Sequence, residues 1–240
     1  MRPLARAFLD VTTGLDRCLA SGPRGLALTA LGLVAGWWIY VPIHELLHAA
    51  GCLALGGEVT RLDIAPMYGG RLLARLFPFV AASAGKAGRL SGFDTGGSDL
   101  VYLATDLAPF VLTVFPGVWA LRAAGGAGRS LAFGFAIPFA LAPFVSIGGD
   151  AYEIGSILVT NLPLWSAEPL QATLRGDDLV ERIATVRSTG GFRAWSGLVV
   201  ATLVGIVWAL GTYLIGVAVA EAVRQARMPS SSILRRRVER

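Results

Sequence analysis

Histidine is nearly absent from this chain: its 240 residues include two, His44 and His48. That argues against a multi-histidine di-iron or haem site, and a metal centre would have to draw its remaining ligands from Asp, Glu or Cys. Cysteine is as scarce. Cys18 and Cys52 cannot supply the disulfide framework of a small secreted scaffold. Charge is also short, at 15% against 54% apolar residues, where a soluble domain carries roughly 25% charged residues. So little polar surface cannot wrap a water-soluble globule of this length, and so much apolar content excludes disorder for most of it. The composition is that of an integral, multi-pass membrane protein.

The net charge of +5 raises nucleic acid as a partner, but the placement of the charges argues against it. Six of the 21 basic residues fall in the last 17 positions, and the others sit between apolar blocks. This pattern keeps charge out of hydrocarbon and gives a basic tail that anionic lipid attracts. Lys86 is the single lysine among those 21; with the Ala and Gly richness, that points to a prokaryotic inner membrane. The N-terminal, 122–129 and C-terminal segments hold 12 of the 21, a lean toward cytosolic termini too small to fix the orientation.

Residues 1–24 mix Arg and Asp with Leu4, Phe8, Val11, Leu15 and Leu19, the pattern of an interfacial amphipathic helix. Apolar spans are expected at about 25–56, 100–121, 131–159 and 195–222, since a bilayer core needs about 20 helical residues. The first exceeds one straight crossing, so tilt or a kink at Pro42 must absorb the surplus. Between the first two spans, Val59, Leu62, Ile64 and Pro66 interleave with smaller or polar residues, and Tyr68-Gly69-Gly70 makes a turn. Alternation, a glycine turn and a second apolar run predict a β-hairpin at about 58–79, and 85–97 reads as a flexible glycine-rich loop. A polar connection fills 163–194, and 223–240 is a basic, disordered tail. The expected fold is thus an all-α membrane protein with about four transmembrane helices, a short membrane-associated β-hairpin and an N-terminal amphipathic helix.

Inside the first span lies His44-Glu45-Leu46-Leu47-His48. Positions i and i+4 share a helix face, so both imidazoles can meet one ion, with the Glu45 carboxylate beside them to take a proton from water. Two imidazoles and a carboxylate are a zinc ligand set, one ion per chain. Hydrocarbon charges each ionisable group about 2.5–3.5 kcal/mol even on lenient scales, so three in one span call for a compensating role. Cys52 is two turns from His44, too far along a straight helix to share the ion, and reads as a packed small residue. Asp150 fits better as the third ligand. His44 and Asp150 each follow the start of their spans by 19 residues, placing both roughly 28 Å from one face if the first and third spans run the same way. Glu153 is the rival ligand, and Asp106 a further polar candidate.

These residues resemble the site-2 protease family of intramembrane zinc metallopeptidases. The likeness is carried by the 44–49 stretch in an apolar helix, by Gly56 to Gly70 after it, and by Gly149-Asp150-Ala151-Tyr152-Glu153, which is similar to the family's Asp-Gly motif. It spans about 25–162, with no PDZ or CBS domain. Ala151 stands where the family usually has Gly, and Leu112 falls where a second-span Asn is usual. The resemblance implies that His44, His48 and Asp150 hold zinc, that Glu45 is the general base, and that a transmembrane protein or peptide is cleaved. It also implies substrate binding by strand addition around Val59, Leu62, Ile64, Pro66, Gly69 and Gly70. An inactive homologue acting as a membrane-protein binding partner is the alternative, and an ion channel or transporter a more distant one.

Overall fold

The computed structural model describes residues 5–226. Its elements are α1 (Arg6–Leu19), α2 (Pro23–Ala54), β1 (Glu58–Ile64), α3 (Gly70–Leu76), β2 (Val80–Ala82), β3 (Gly88–Asp94), α4 (Asp99–Leu107), α5 (Val118–Gly126), α6 (Ser130–Val145), α7 (Asp150–Thr160), α8 (Glu168–Leu174), α9 (Leu179–Thr189) and α10 (Phe192–Ala226). Four helical stretches are long and apolar enough to cross a membrane: Pro23–Ala54, Asp99–Gly126, Ser130–Gly148 and Phe192–Ala226. On α10 the row Ala201, Gly205, Ala209 and Gly216 is buried, while Val199, Leu203 and Val207 point outward. Such an apolar outer face is costly in water and suited to lipid.

Close backbone approach organises the bundle. Side chains built onto Gly32 and Gly36 would strike the α6 backbone at Leu131 and Phe135, and one on Gly134 would strike Thr29 of α2. These contacts ascend both helices together, and Tyr40 meets Phe139 edge-on one turn further along, so α2 and α6 run in the same direction. Small residues at such spacing let apolar helices pack where no hydrophobic force drives them together. α7 packs against α10 in the opposite sense by the same device, Gly155 against Ala201 and Gly205 against Ala151. Ala151 is fully buried at that contact, so a small residue after Asp150 has a packing role here.

Three expectations need correction. The third span does not run unbroken over 131–159: a tight turn at Ser146–Gly148 ends α6, and Asp150 opens the separate helix α7. Gly149, at φ −125° and ψ −120°, takes the backbone out of the helical region there, as glycine readily does. The 58–79 hairpin does not form. After β1 the chain takes a single turn at Pro66–Tyr68, and Gly69 adopts a left-handed φ of 84°. Gly70 then tucks against the Ile64 carbonyl, where a Cβ would clash, and the chain enters α3 instead of folding back. The resulting sheet has the order β2-β1-β3, β2 parallel to β1 (Leu62 opposite Val80) and β3 antiparallel to it (Val59 opposite Phe93). β3 lies within the stretch read as a flexible loop. Its glycines, which weaken strand propensity, serve close contacts instead.

The second span carries breaks at Ala108–Phe110 and Thr113–Gly117, the latter with Phe115 outside helical geometry. The Thr113 hydroxyl donates to the Phe139 carbonyl at 2.7 Å, tying the break to α6. α2 stays helical through Pro42 to Ala54. The 163–194 connection forms α8 and α9 against α7 and α10, with the Tyr152 hydroxyl donating to the Leu174 carbonyl at 2.7 Å. The expected amphipathic segment contains α1, whose Ala7, Val11 and Leu15 face the core. Helix α10 continues to Ala226, so 223–226 is not tail; residues 227–240, and 1–4 at the other end, lie outside the described residues.

Replacing Gly36 by Val is expected to lower stability by about 1–3 kcal/mol through overpacking against Phe135. Thermal unfolding of the purified protein in detergent measures this, and an unchanged midpoint would show that the two backbones do not approach so closely.

Candidate metal centre

The site forms where α2, α4 and α7 meet. One turn separates His44 from His48, so their rings lie on one face of α2, 4.7 Å apart and nearly perpendicular. The break at Gly148 and Gly149 ends α6 at the same level and turns Asp150 toward both. His44 Nε2 lies 3.2 Å from Asp150 Oδ2, His48 Nε2 lies 3.6 Å from Asp150 Oδ1, and the two Nε2 atoms are 3.1 Å apart. One potential ligand atom from each of the three falls within 4.8 Å of the others.

These separations test whether the residues fit an ion. Bonds of 2.0–2.1 Å at tetrahedral angles place neighbouring ligand atoms roughly 3.3–3.4 Å apart, close to the three distances just given. Proton placement gives a second test. His48 Nδ1 lies 2.8 Å from the Thr105 carbonyl oxygen, which can only accept, so Nδ1 carries the proton and a neutral ring presents a bare lone pair at Nε2. His44 Nδ1 pairs with the Tyr40 hydroxyl at 2.6 Å, which orients that ring with Nε2 inward; a hydroxyl both donates and accepts, so it sets the ring's orientation and not its tautomer. Asp150 Oδ2 is buried and makes no hydrogen bond. Two imidazole nitrogens and a carboxylate converging at this range form a concentration of negative potential that a cation relieves. The cluster can therefore hold a metal ion, and its donor set suits zinc.

A cleft of about 410 Å³ opens beside the cluster, lined by Glu45, His48, Asp106, Asp150, Glu153 and the strand β3. Glu45 lies against β3 so closely that a Cβ on Gly88 would sit 2.3 Å from its Cγ. Glu153 is buried, accepts a hydrogen bond from the Tyr102 hydroxyl, and stands outside the ligand cluster. Asp106 is buried in the cleft wall, its Oδ2 without a partner. Arg89 on β3 pairs with Asp177 at 3.2 Å, and Arg175 grips Asp99 at 2.6 and 3.0 Å, tethering the segment after α8 to the cleft mouth and to α4. On the outer face of the sheet, the Arg61 guanidinium and then the Ser91 hydroxyl hold the Asp63 carboxyl below its usual range.

The residues assigned to substrate binding lie elsewhere. Leu62 and Ile64 are fully buried with Ala49 and Val80, and β1 is the central strand of the sheet. Pro66, Gly69 and Gly70 belong to the turn into α3. Val59 packs at the margin of the same apolar cluster. The edge strand at the cleft is β3, which the sequence reading missed because its glycines resemble a loop. Tyr40 was also missed, although its position one turn before His44 is a readable signal. The Thr105 carbonyl leaves no such trace. Cys52 is a buried free thiol beside Gly57, and Leu112 packs near Tyr40 and Phe139.

No protein-family model matches this chain, and searches of curated proteins and of solved structures return no match either.

Substituting His44, His48 or Asp150 by Ala is expected to abolish stoichiometric zinc binding, whereas Glu153→Gln leaves it intact. Tyr40→Phe, which frees His44 Nδ1, should weaken binding about 10–100-fold. Metal analysis and competition with a chromophoric chelator read all five proteins, and loss of zinc in the Glu153 variant alone would move the third ligand there.

Proposed function

We propose that this chain is an intramembrane zinc metallopeptidase that hydrolyses a peptide bond in or near a transmembrane segment of a membrane-protein substrate. One observation carries the reading: His44, His48 and Asp150 converge beside Glu45 in a cleft that has a strand edge for a wall. Zinc, when bound by those three residues, supplies Lewis acidity toward a carbonyl and brings the ionisation of water from 15.7 to near 7.

The chain's own groups do the rest. The Thr105 carbonyl holds the His48 imidazole in the ligating tautomer, and the Tyr40 hydroxyl fixes the orientation of the His44 imidazole. Glu45, steadied against Gly88, takes a proton from water as the nucleophile forms and returns it to the leaving amine. Lys86, Asp106, Glu153 and Asp177 keep the cleft wall polar, so water reaches a site that adjoins apolar helices. A helical substrate hides its carbonyls and must unwind to react. Among the described residues β3 is paired only with β1, so its other edge can bind an extended segment through backbone hydrogen bonds and set a carbonyl beside Glu45. Strand addition is therefore assigned to β3 rather than to Val59–Pro66.

Glu45→Gln should retain about one zinc per chain yet lose hydrolysis of a reconstituted transmembrane substrate by at least about 100-fold, the lower range for removing a general base. Gly88→Val should likewise keep zinc but impair turnover by displacing Glu45. Retained hydrolysis in the Gln variant would falsify the general-base role. Chelator-insensitive binding of membrane helices without cleavage would instead favour an inactive binding partner.

A further inference from the structure

A second cavity lies away from the metal centre and shares none of its lining residues. It encloses about 590 Å³ between α1, the carboxyl end of α5 and the carboxyl end of α10. Four guanidiniums (Arg6, Arg17, Arg122 and Arg224) and two carboxylates (Asp10 and Glu221) line it. Arg6 and Arg122 are committed to those carboxylates, at 3.3 Å and 3.5 Å from Asp10, and Arg122 also at 3.3 Å from Glu221. Arg17 meets no carboxylate among the described residues; it donates to the Gly126 carbonyl at 3.3 Å. Arg224 has no ion pair among the described residues. The cavity thus keeps an excess of two positive charges. The negative end of α5 offsets that excess only in part, by about half a charge.

Apart from Thr13 the rest of the lining is apolar, and it continues. Trp119 and Ala123 are shared with a second groove of about 410 Å³ that runs between α5 and α6 over Ala120, Leu131, Phe135 and Ala136, with Arg129 its one charged lining residue. A cationic pocket opening into an apolar groove matches an amphiphile with an anionic head. A small soluble anion would use only the first half. The pocket also stands at the ends of two apolar spans, Asp99–Gly126 and Phe192–Ala226, where headgroups lie. Helix α1 closes it from the side with Phe8 largely exposed beside it. The chain's own continuation is a poor occupant, because Arg227, Arg235, Arg236, Arg237 and Arg240 repeat the pocket's charge.

We propose that this cavity binds an anionic phospholipid, its phosphodiester between Arg17 and Arg224 and an acyl chain along the groove below Trp119 and Ala123. The site is independent of the metal centre and of the peptidase reading. Native mass spectrometry of the full-length protein in mild detergent, titrated with dioleoylphosphatidylglycerol or dioleoylphosphatidylcholine, tests it. The two uncommitted guanidiniums should favour the anionic lipid by about thirtyfold. Arg17→Gln with Arg224→Gln should bring the two lipids within about twofold, and Ala123→Phe should weaken both by obstructing the groove. An unchanged thermal unfolding midpoint in detergent certifies the fold of these variants. Equal binding of the two lipids by the native chain would overturn the proposal. So would selectivity lost on replacing Arg235, Arg236 and Arg237 by Gln but kept in the double variant, or competition by millimolar inorganic phosphate, which would make the site one for the free anion.

Discussion

The contact between α2 and α6 is the constraint on which the rest depends. Gly32 and Gly36 on one helix and Gly134 on the other bring two backbones together with no side chain between them. Packed this closely and in the same direction, the helices cannot slide without clashes, so their relative depth is fixed. The imidazoles sit about two and three turns beyond Gly36, and Asp150 follows just past the end of α6. A slip of one turn, 5.4 Å, would separate groups that now stand 3.1 to 3.6 Å apart.

Polar groups set among apolar helices then need partners. The bundle supplies partners from its backbone: the Thr105 carbonyl for His48, the Phe139 carbonyl for Thr113, the Leu174 carbonyl for Tyr152. The break at Thr113–Gly117 is tied to α6 through the buried Thr113 and Gly117 while Phe115 stays half exposed, and the break at Gly148–Gly149 opens α7 with Asp150 at the cleft. The carboxylate oxygens left without partners, on Asp106 and Asp150, both lie at the cleft. The same separation of roles appears at the other cavity, where two arginines are bound to carboxylates and two are not.

Much of this was legible in the sequence, for physical reasons that can be traced. Apolar runs long enough for a bilayer announced the spans, and i, i+4 spacing placed His44 and His48 on one face. Counting residues from the span starts put Asp150 at their level, because helical rise is constant. The readings failed where tertiary contact overrides local pattern. Tyr68-Gly69-Gly70 looks like a hairpin turn, yet Gly70 is needed for contact with the Ile64 carbonyl and directs the chain into a helix. Gly88 and Gly92 look like loop residues, yet they belong to a strand held against Glu45 and β1. Glycine signals close approach in both cases, and a sequence does not say what approaches.

By itself the sequence determined the number of apolar spans, which side chains could meet at one ion and the scarcity that made them few. Those follow from composition and from helix periodicity, which are local properties. The tertiary structure alone decided that β3, not β1, forms the wall beside Glu45, that Tyr40 and the Thr105 carbonyl orient the imidazoles, and that four arginines distant in the chain share one cavity. Such assignments depend on which backbones can pass within touching distance, and that is settled only when the helices pack.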